Sequence, residues 1–396
     1  MWCGPGSGQE KGDDPMKRRR WGIVGVCAGV VLLLGSMGVR LGVAPALVRF
    51  PLDLDETAHY AGRGLTYVDA KTLLPLAKPT SVPITVDRHV KVVSGSFSRA
   101  VVDETITIKA GSTTTVEDYQ YVMDRRTMQL VDDPREYAFG DPKALMSAAG
   151  SYRVNFAMGT KATGSYRSFI PEAGVSAPLK LVEDRHFHDD GRVSVIDFST
   201  KLLHPVAPYY LAHLQAIGLP MQITTAQLQP QLVAAGVDVN KALADVGSQL
   251  TPAERTLVTD TLSRPIPLRY YFIADGIISI EPKTGALIDV HSTQEGVAVK
   301  PDLSGAAALN KVLQKYSSIP SVKAAAAGLA TLSARGPQPA QMYVYTQTVP
   351  SSLHVASKAR QQASQMNLIQ WRLPAAMVLL GALLLVGGLL MWFGSR

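Results

Sequence analysis

Residues 351–396, SSLHVASKARQQASQMNLIQWRLPAAMVLLGALLLVGGLLMWFGSR, decide how the rest of the chain is arranged. Residues 373–393 contain no charged side chain, and about 20 apolar residues are the length that a helix needs to cross a bilayer. The preceding residues 351–372 are polar and have a helical pattern. We therefore predict a helical stalk that continues into a transmembrane helix.

A second apolar segment, residues 21–39, follows a basic cluster at residues 17–20 and predicts a second transmembrane helix. Because cytoplasmic flanks are rich in Lys and Arg, we expect both termini in the cytoplasm, with residues 1–20 as a disordered tail. Residues 41–350 then form one domain outside the plasma membrane. A cleaved signal peptide is the alternative, although the apolar run is longer than such peptides use.

Most of the excess positive charge of the chain lies at its two ends. Of 39 basic and 32 acidic residues, 31 basic and 29 acidic ones remain when residues 1–40 and 372–396 are set aside. This balance leaves no basic stripe for phosphates and argues against a nucleic-acid partner. Cys3 and Cys27 are the two cysteines, so residues 41–350 have no disulfide and depend on their core for stability.

The domain between the two apolar segments begins with a strand pattern. Residues 82–126 contain three runs rich in Val, Ile, Thr and Tyr, separated at Ser94–Ser96 and at residues 111–112, which predict an antiparallel meander. A short strand should follow near residue 130. Asp190 and Gly191 then supply the tight turn of a hairpin.

Helices interrupt the strands in the centre of the chain. Residues 204–218 and 240–263 have helical spacing, and Thr251 and Glu254 form a capping box that should start a helix at Pro252. Strands return at residues 266–299, with turns expected at Asp275–Gly276 and at residues 283–285. Two short helices follow, with Ser304 and Ser321 as N-caps, and then a last strand at residues 342–350. Pro374 should kink the C-terminal helix or mark where its span begins.

These patterns together predict an α+β fold. It has a β-rich antiparallel ectodomain with inserted helices, flanked by N- and C-terminal transmembrane helices.

A candidate metal site consists of His186, His188 and Asp189, with Glu183 nearby. Residues two apart on a strand share a face, so the two imidazoles could converge on one ion. The alternative, which we favour, is a solvated hairpin next to a turn. The carboxylate pairs Asp132–Asp133 and Asp189–Asp190 likewise lie at predicted turns, where Asp is common.

The sequence has no recognisable catalytic motif. A nucleophile elbow, a phosphate-binding loop, a dinucleotide fingerprint and an H-E-x-x-H motif are all missing from it. We therefore expect no enzymatic activity, no cofactor and no metal. Two aromatic groups, residues 209–210 and 270–272, could line an apolar pocket, but alternation along a strand favours core packing for most of them.

Several segments resemble one family. They are residues 44–69, SYRVNFAMGTKATGSY at 151–166, EPKTGALIDV at 281–290 and the stretch from residue 347 onward. They are similar to the PorA-type family of actinobacterial envelope proteins over nearly the whole chain from Met16. The resemblance implies two terminal anchors around a β-rich extracytoplasmic domain. It supplies no catalytic residues.

The porin label of that family conflicts with the sequence pattern, because a transmembrane barrel needs many apolar-faced strands without an open edge. We predict instead an ectodomain that binds or transfers a hydrophobic, lipid-like envelope component. The alternatives are a channel or porin-like oligomer and a non-catalytic scaffold for envelope protein partners.

Overall fold

The computed structural model describes residues 15–43, 48–69, 75–141, 144, 146–187 and 193–393. The chain divides into two compact units, one of Met1–Phe50 with Arg360–Arg396 and one of Pro51–Ala359. Most of the predicted N-terminal tail, the predicted Asp190–Gly191 turn and the candidate ligands His188 and Asp189 lie outside the described residues.

The larger unit is built on strands. Those in the described residues are β1 Asp55–Val68, β2 Pro75–Gly95, β3 Arg99–Ala110, β4 Thr113–Asp124, β5 Tyr137–Ala138, β6 Arg167–Ile170, β7 Val175–Pro178, β8 Lys180–Phe187, β9 Ser194–Pro205, β10 Gln222–Ile223, β11 Ile266–Ile280, β12 Leu287–Pro301 and β13 Gln338–Gln347. One antiparallel path runs β5-β4-β3-β2-β1-β13-β12-β11-β9-β8, β10 pairs with β11, and β6 pairs with β7. The ends of the path, β5 and β8, do not pair with each other in the described part of the chain.

The predicted meander is confirmed as β2, β3 and β4, and its two breaks fall where the sequence places them. Beside β2 in the sheet lies β1, which pairs with both β2 and β13 along its length. Gly62 makes this possible, because a Cβ at this position would lie 2.0 Å from the Val344 carbonyl oxygen. The short strand expected near residue 130 is reduced to a bridge between Met123 and Leu130.

The predicted turn at Asp275–Gly276 is wrong, because β11 runs straight through these residues. Its pairing with β12 instead shifts register there, and a Cβ at Gly276 would lie 2.7 Å from the His291 carbonyl oxygen. The glycine therefore serves a bulge rather than a reversal. The second predicted turn is confirmed, and Gly285 adopts a positive φ of 73° between β11 and β12.

The helices of the larger unit are inserted between strands. They are α2 Pro208–Ala216, α3 Thr225–Ala234, α4 Val239–Val246, α5 Pro252–Ser263, α6 Ala307–Lys315 and α7 Pro320–Ala334, with a 3₁₀ turn at Leu303–Ala306. The capping box of Thr251 and Glu254 is confirmed at the start of α5. The predicted caps Ser304 and Ser321 are wrong. Asp302 caps the 3₁₀ turn by accepting from the Ser304 amide, while Pro320 opens α7 and Ser321 donates to Asp245.

A continuous core joins these helices to the sheet. It contains buried apolar side chains of α2–α7 together with Leu268, Tyr270 and Phe272 of β11 and Val297 and Val299 of β12. The helices therefore cover one part of the sheet. The fold agrees with the predicted class, an antiparallel β-rich α+β domain with inserted helices.

The C-terminal helix begins within the larger unit. It consists of α8 Val349–Asn367, a π-helical turn at Leu368–Arg372, and α9 Leu373–Phe393. Ala356 and Ala359 of α8 pack against Val195 and Ile288, and Lys358 pairs with Glu56 of β1. The irregular turn lies just before Pro374, whose ring cannot fit a regular helix interior.

The smaller unit contains two apolar helices, α1 Pro15–Gly38 and α9, and a π-helical turn at Val39–Val43 follows α1. Both are long and apolar enough to cross a membrane, by length and composition. They run antiparallel, since Gly22 lies at Gly388 and Gly29 at Gly381, where an added Cβ would meet backbone oxygens at 2.8 and 2.6 Å. Small residues thus let the two backbones approach closely.

Candidate functional site

An apolar cavity of about 250 Å³ lies among the inserted helices. Its wall contains buried side chains from α3 to α7, with partly exposed apolar side chains beside them. Members of the first group are Leu228, Leu232, Ala242, Val246, Val258, Val312, Val322, Ala325 and Leu329, and members of the second are Leu243, Leu262, Leu309 and Leu313. Amphipathic helices place such side chains together because each helix turns its apolar face to the same core.

Two charged residues border this cavity among the described residues. Asp302 is already engaged, because Nη2 of Arg269 lies 2.7 Å from its Oδ2. Hydrogen bonds from Ser304 and Arg269 lower the pKa of Asp302, so it is a carboxylate at neutral pH. Arg264, at the end of α5, is exposed and has no ion-pair partner among the described residues. The cavity thus has an apolar wall and, at its border, a cation without an ion-pair partner in the described ranges.

A second cavity, of about 420 Å³, lies against the sheet and is lined by polar as well as apolar groups. Behind its wall, Glu104 of β3 is fully buried. It pairs with Arg88 of β2, and Nε of Arg153 lies 2.9 Å from its Oε2, to which Tyr121 also donates. Burial alone would raise the pKa of Glu104, but the two guanidinium groups lower it to about 2. Glu104 is therefore an ionised buried group.

The candidate metal site is only partly described. Glu183, His186 and Asp197 each offer one ligand atom, and these atoms lie within 4.8 Å of one another. Asp197 joins the set because β8 and β9 pair Glu183 with Asp197, a register that the sequence pattern did not specify. The two ring nitrogens of His186 lie 3.9 Å from Glu183 and 3.7 Å from Asp197. The imidazole of His186 therefore lies between the carboxylates of Glu183 and Asp197.

The carboxylates of the predicted pair Asp132–Asp133 hold a turn, as expected. Asp133 accepts from Nε of Arg135 at 2.7 Å and from Arg99 at 3.0 Å. The hydrogen bond from Arg135 lowers the pKa of Asp133 to about 2. Asp132 accepts from the Ala149 amide at 3.2 Å.

Three of the predicted aromatic residues belong to the core, and two of these also line the second cavity. Tyr209 and Tyr270 donate to the backbone carbonyls of Pro171 and Pro220. Tyr210 and Phe272 meet edge to face with ring centres 5.8 Å apart, and both line the second cavity. The expectation of core packing is therefore confirmed for Tyr210, Tyr270 and Phe272.

The fold and the cavities in the described residues define a class: a β-rich α+β protein with an inserted helical layer, two cavities, and two apolar helices that are long enough to cross a membrane. The chain belongs to the porin PorA family, whose model matches residues 21–390. Among curated proteins, none matches it. Family membership agrees with the resemblance seen in the sequence and points to a membrane-associated envelope protein.

Proposed function

We propose that the protein binds or transfers a hydrophobic, lipid-like envelope component in the apolar cavity among α3–α7. The same proposal has α1 and α9 cross the plasma membrane, with the larger unit outside the cell and both termini inside. The observation that carries it is the apolar wall of the cavity, which five helices supply. The proposal involves no catalytic step and no cofactor.

The wall chemistry supports an acyl chain as the bound group. Burying a methylene contributes about 0.8 kcal/mol, so about six methylenes contribute about 5 kcal/mol before the cost of ordering the chain. A ligand with a polar head would be held in the cavity by its apolar part. Burial of the acyl chain therefore favours binding, while the cost of ordering it limits the affinity and favours release.

Arg264 supports an anionic amphiphile in particular. Its guanidinium group can pair with a carboxylate or phosphate head at the border of the cavity, while the acyl chain lies inside. Asp302 does not compete for Arg264, because Arg269 already holds it.

Binding of cis-parinaric acid, a fluorescent fatty acid, to the full chain in an uncharged detergent tests the proposal. Ala242 is buried and lines the cavity, so Ala242→Phe should fill it and abolish the fluorescence gain. Ala244 lies two residues along the same helix but is exposed, which makes Ala244→Phe the matched control. Arg264→Ala should weaken binding by about tenfold, as the loss of one charged contact predicts.

Equal binding by the parent chain, Ala242→Phe and Ala244→Phe would contradict the proposed location of the ligand. A melting temperature measured for each variant separates filling of the cavity from unfolding. Absence of binding by the parent chain would contradict the proposal that an acyl chain is the ligand.

Family membership favours a second candidate, a pore formed by several copies. In the described residues the path of the sheet is open, with β5 and β8 unpaired with each other, and this does not match a closed transmembrane barrel. A pore would therefore have to form between the apolar helices of different copies. Conductance of the purified chain in a planar bilayer tests this candidate, and a silent bilayer would exclude it.

A further inference from the structure

We propose that the second cavity, on the face of the sheet, binds a small organic polycation of the polyamine class through Glu117, Glu172 and Glu295. This site is separate from the apolar cavity among the helices. Three observations on the described residues support it. Carboxyl groups from three separate elements line the cavity, a buried hydroxyl group in the lining has no hydrogen-bond partner, and the region is negatively charged when its carboxyl groups are ionised.

The three carboxyl groups reach the cavity from separate elements. Glu117 belongs to β4, Glu172 to the turn between β6 and β7, and Glu295 to β12. Glu117 is 6% exposed and Glu172 is 4% exposed. Tyr119 donates to Glu117 at 3.0 Å, and Tyr345 donates to Glu295 at 2.5 Å. These hydroxyls orient two of the carboxyl groups but neutralise none of them.

A bulge in β12 brings a further polar group to the same cavity. Pairing with β13 skips from Ser292–Tyr345 to Glu295–Tyr343, so Ser292 and Glu295 both line the cavity. In a regular strand, residues three apart would face opposite sides. Ser292 is 3% exposed, and it lies close enough to Glu295 to lower that residue's pKa. Within the described residues, its Oγ nevertheless has no hydrogen-bond partner of normal geometry.

Unpaired polar atoms of this kind need a partner, because burial without a hydrogen bond costs free energy. Thr200 and His213 line the same cavity, and Thr200 Oγ1 and His213 Nε2 are buried without a hydrogen bond from any part of the chain that the structure describes. An amine that donates N–H groups can satisfy Ser292 and Thr200 as acceptors. It can also satisfy Nε2 of His213 in the tautomer that leaves this nitrogen unprotonated.

The charge balance of the region is negative when its carboxyl groups are ionised. Arg88 and Arg153 both pair with Glu104, and this carboxylate offsets one of their two positive charges. One positive charge is therefore left to offset the three carboxylates Glu117, Glu172 and Glu295. Burial raises the pKa of each of these three groups, and mutual repulsion adds to the rise for Glu117 and Glu172. A bound polycation would relieve this repulsion, so binding should release protons.

Size and shape favour an organic ion over a metal. The cavity is much larger than a metal ion needs, and these three carboxyl groups do not form a cluster of metal-ligand geometry in the described residues. Tyr60, Tyr210, Tyr343 and Phe272 line the cavity beside them. Aromatic rings can enclose a carbon chain and attract ammonium groups through their faces. Exposed residues Thr113, Thr114 and Ile217 mark the mouth.

Calorimetric titration of the full chain with spermidine, in an uncharged detergent, tests this site. Its affinity should rise as the pH increases through about 7, because Glu117 has a pKa of about 7 and must lose a proton. The affinity should rise further at higher pH, because burial raises the pKa of Glu172 well above its usual range. Other groups that face the cavity are Arg88, Arg153, His213, Asp275 and His291. Burial lowers the pKa of His213, which favours its neutral form. The measured heat should depend on the buffer, as proton release requires.

Glu172→Gln and Glu295→Gln should each weaken spermidine binding by about tenfold or more, as loss of one charged contact in a buried site implies. Glu136→Gln is the matched control, since Glu136 is also buried with a raised pKa but does not line the cavity. Triethylene glycol, an uncharged chain of similar length, should not bind. Absence of spermidine binding, equal binding of triethylene glycol, or an equal effect of Glu136→Gln would each overturn the proposal.

Discussion

At the scale of single residues, the most consequential group is Glu104, a carboxylate between two guanidinium groups in the interior of the domain. Glu104→Gln leaves Arg88 and Arg153 buried without their counter-ion. Removing one partner of a buried ion pair costs about 3–5 kcal/mol. We expect the free energy of unfolding in urea to fall by about that amount.

Glu136→Gln provides the comparison for Glu104→Gln. Glu136 is 1% exposed, and its Oε1 has no hydrogen-bond partner among the described residues. Burial raises its pKa to about 8, so the neutral amide resembles the form already present. Its replacement should leave stability unchanged or raise it. Equal stability of Glu104→Gln and the parent would contradict the ionic role of Glu104.

Glu117 gives the pH dependence of stability an unusual sign. Its pKa is about 7 in the fold, raised chiefly by burial, against 4.5 for an ordinary glutamate side chain. The unfolded chain therefore loses this proton first, and stability falls as pH rises from about 4.5 to about 7. The contribution of this group is up to about 3 kcal/mol.

Unfolding in urea at several pH values measures this effect. Glu117→Gln cannot ionise, so its free energy of unfolding should exceed that of the parent by a growing margin as pH rises. A constant difference between the two chains across this range would contradict the raised pKa. The margin should shrink when spermidine is present, because a bound polycation favours the ionised form.

Sequence reasoning did not identify these glutamates, although one signal was present. One face of β3 consists of every second residue, namely Val102, Glu104, Ile106 and Ile108. Glu104 is the charged residue on this otherwise apolar face. A charge in that position predicts a buried pair. Its partners could not be predicted, because Arg88 and Arg153 meet Glu104 only through strand pairing and a long loop.

At the scale of elements, the close contact of α1 and α9 depends on two glycines in each helix that lie seven residues apart. They are Gly22 and Gly29 in α1, and Gly381 and Gly388 in α9. An added Cβ at Gly388 would lie 2.6 Å from the Gly22 carbonyl oxygen, whereas Gly387 faces open space. Gly388→Leu should separate the helices, and Gly387→Leu should not. We expect a lower melting temperature in detergent for Gly388→Leu alone.

Equal melting temperatures for the two glycine variants would contradict the packing of these helices. The pair is a stringent comparison because the residues are adjacent and the substitution is identical. Loss of a close backbone contact in a helix pair removes van der Waals packing and interhelical attraction. Neither variant changes the charge of the chain.

Local signals predicted some elements well and failed at others for physical reasons. The Thr251 capping box set the start of α5 because both partners lie within one turn. Asp275–Gly276 has the composition of a turn, yet pairing with β9 and β12 holds it in a strand. Tertiary contacts decided that case. Helix α3 was missed, although Thr224 and Gln227 form a capping box there as well.

At the scale of the whole molecule, the sequence predicted the α+β class, the two terminal apolar helices and the family. The class and the helices follow from composition and periodicity, which a single chain displays directly. The family follows from the resemblance of particular segments, such as EPKTGALIDV at 281–290. The cavities do not, because their walls come from residues far apart in sequence. The orientation across the membrane stays a prediction.

The most direct test of the account is native mass spectrometry of the full chain, released from detergent after expression in a lipid-bearing host. We predict one bound hydrophobic molecule per chain, retained in Ala244→Phe and lost in Ala242→Phe. Extraction would then identify the ligand. A bare parent chain, or a ligand retained equally by both variants, would contradict the claim that the cavity among α3–α7 carries a lipid-like component.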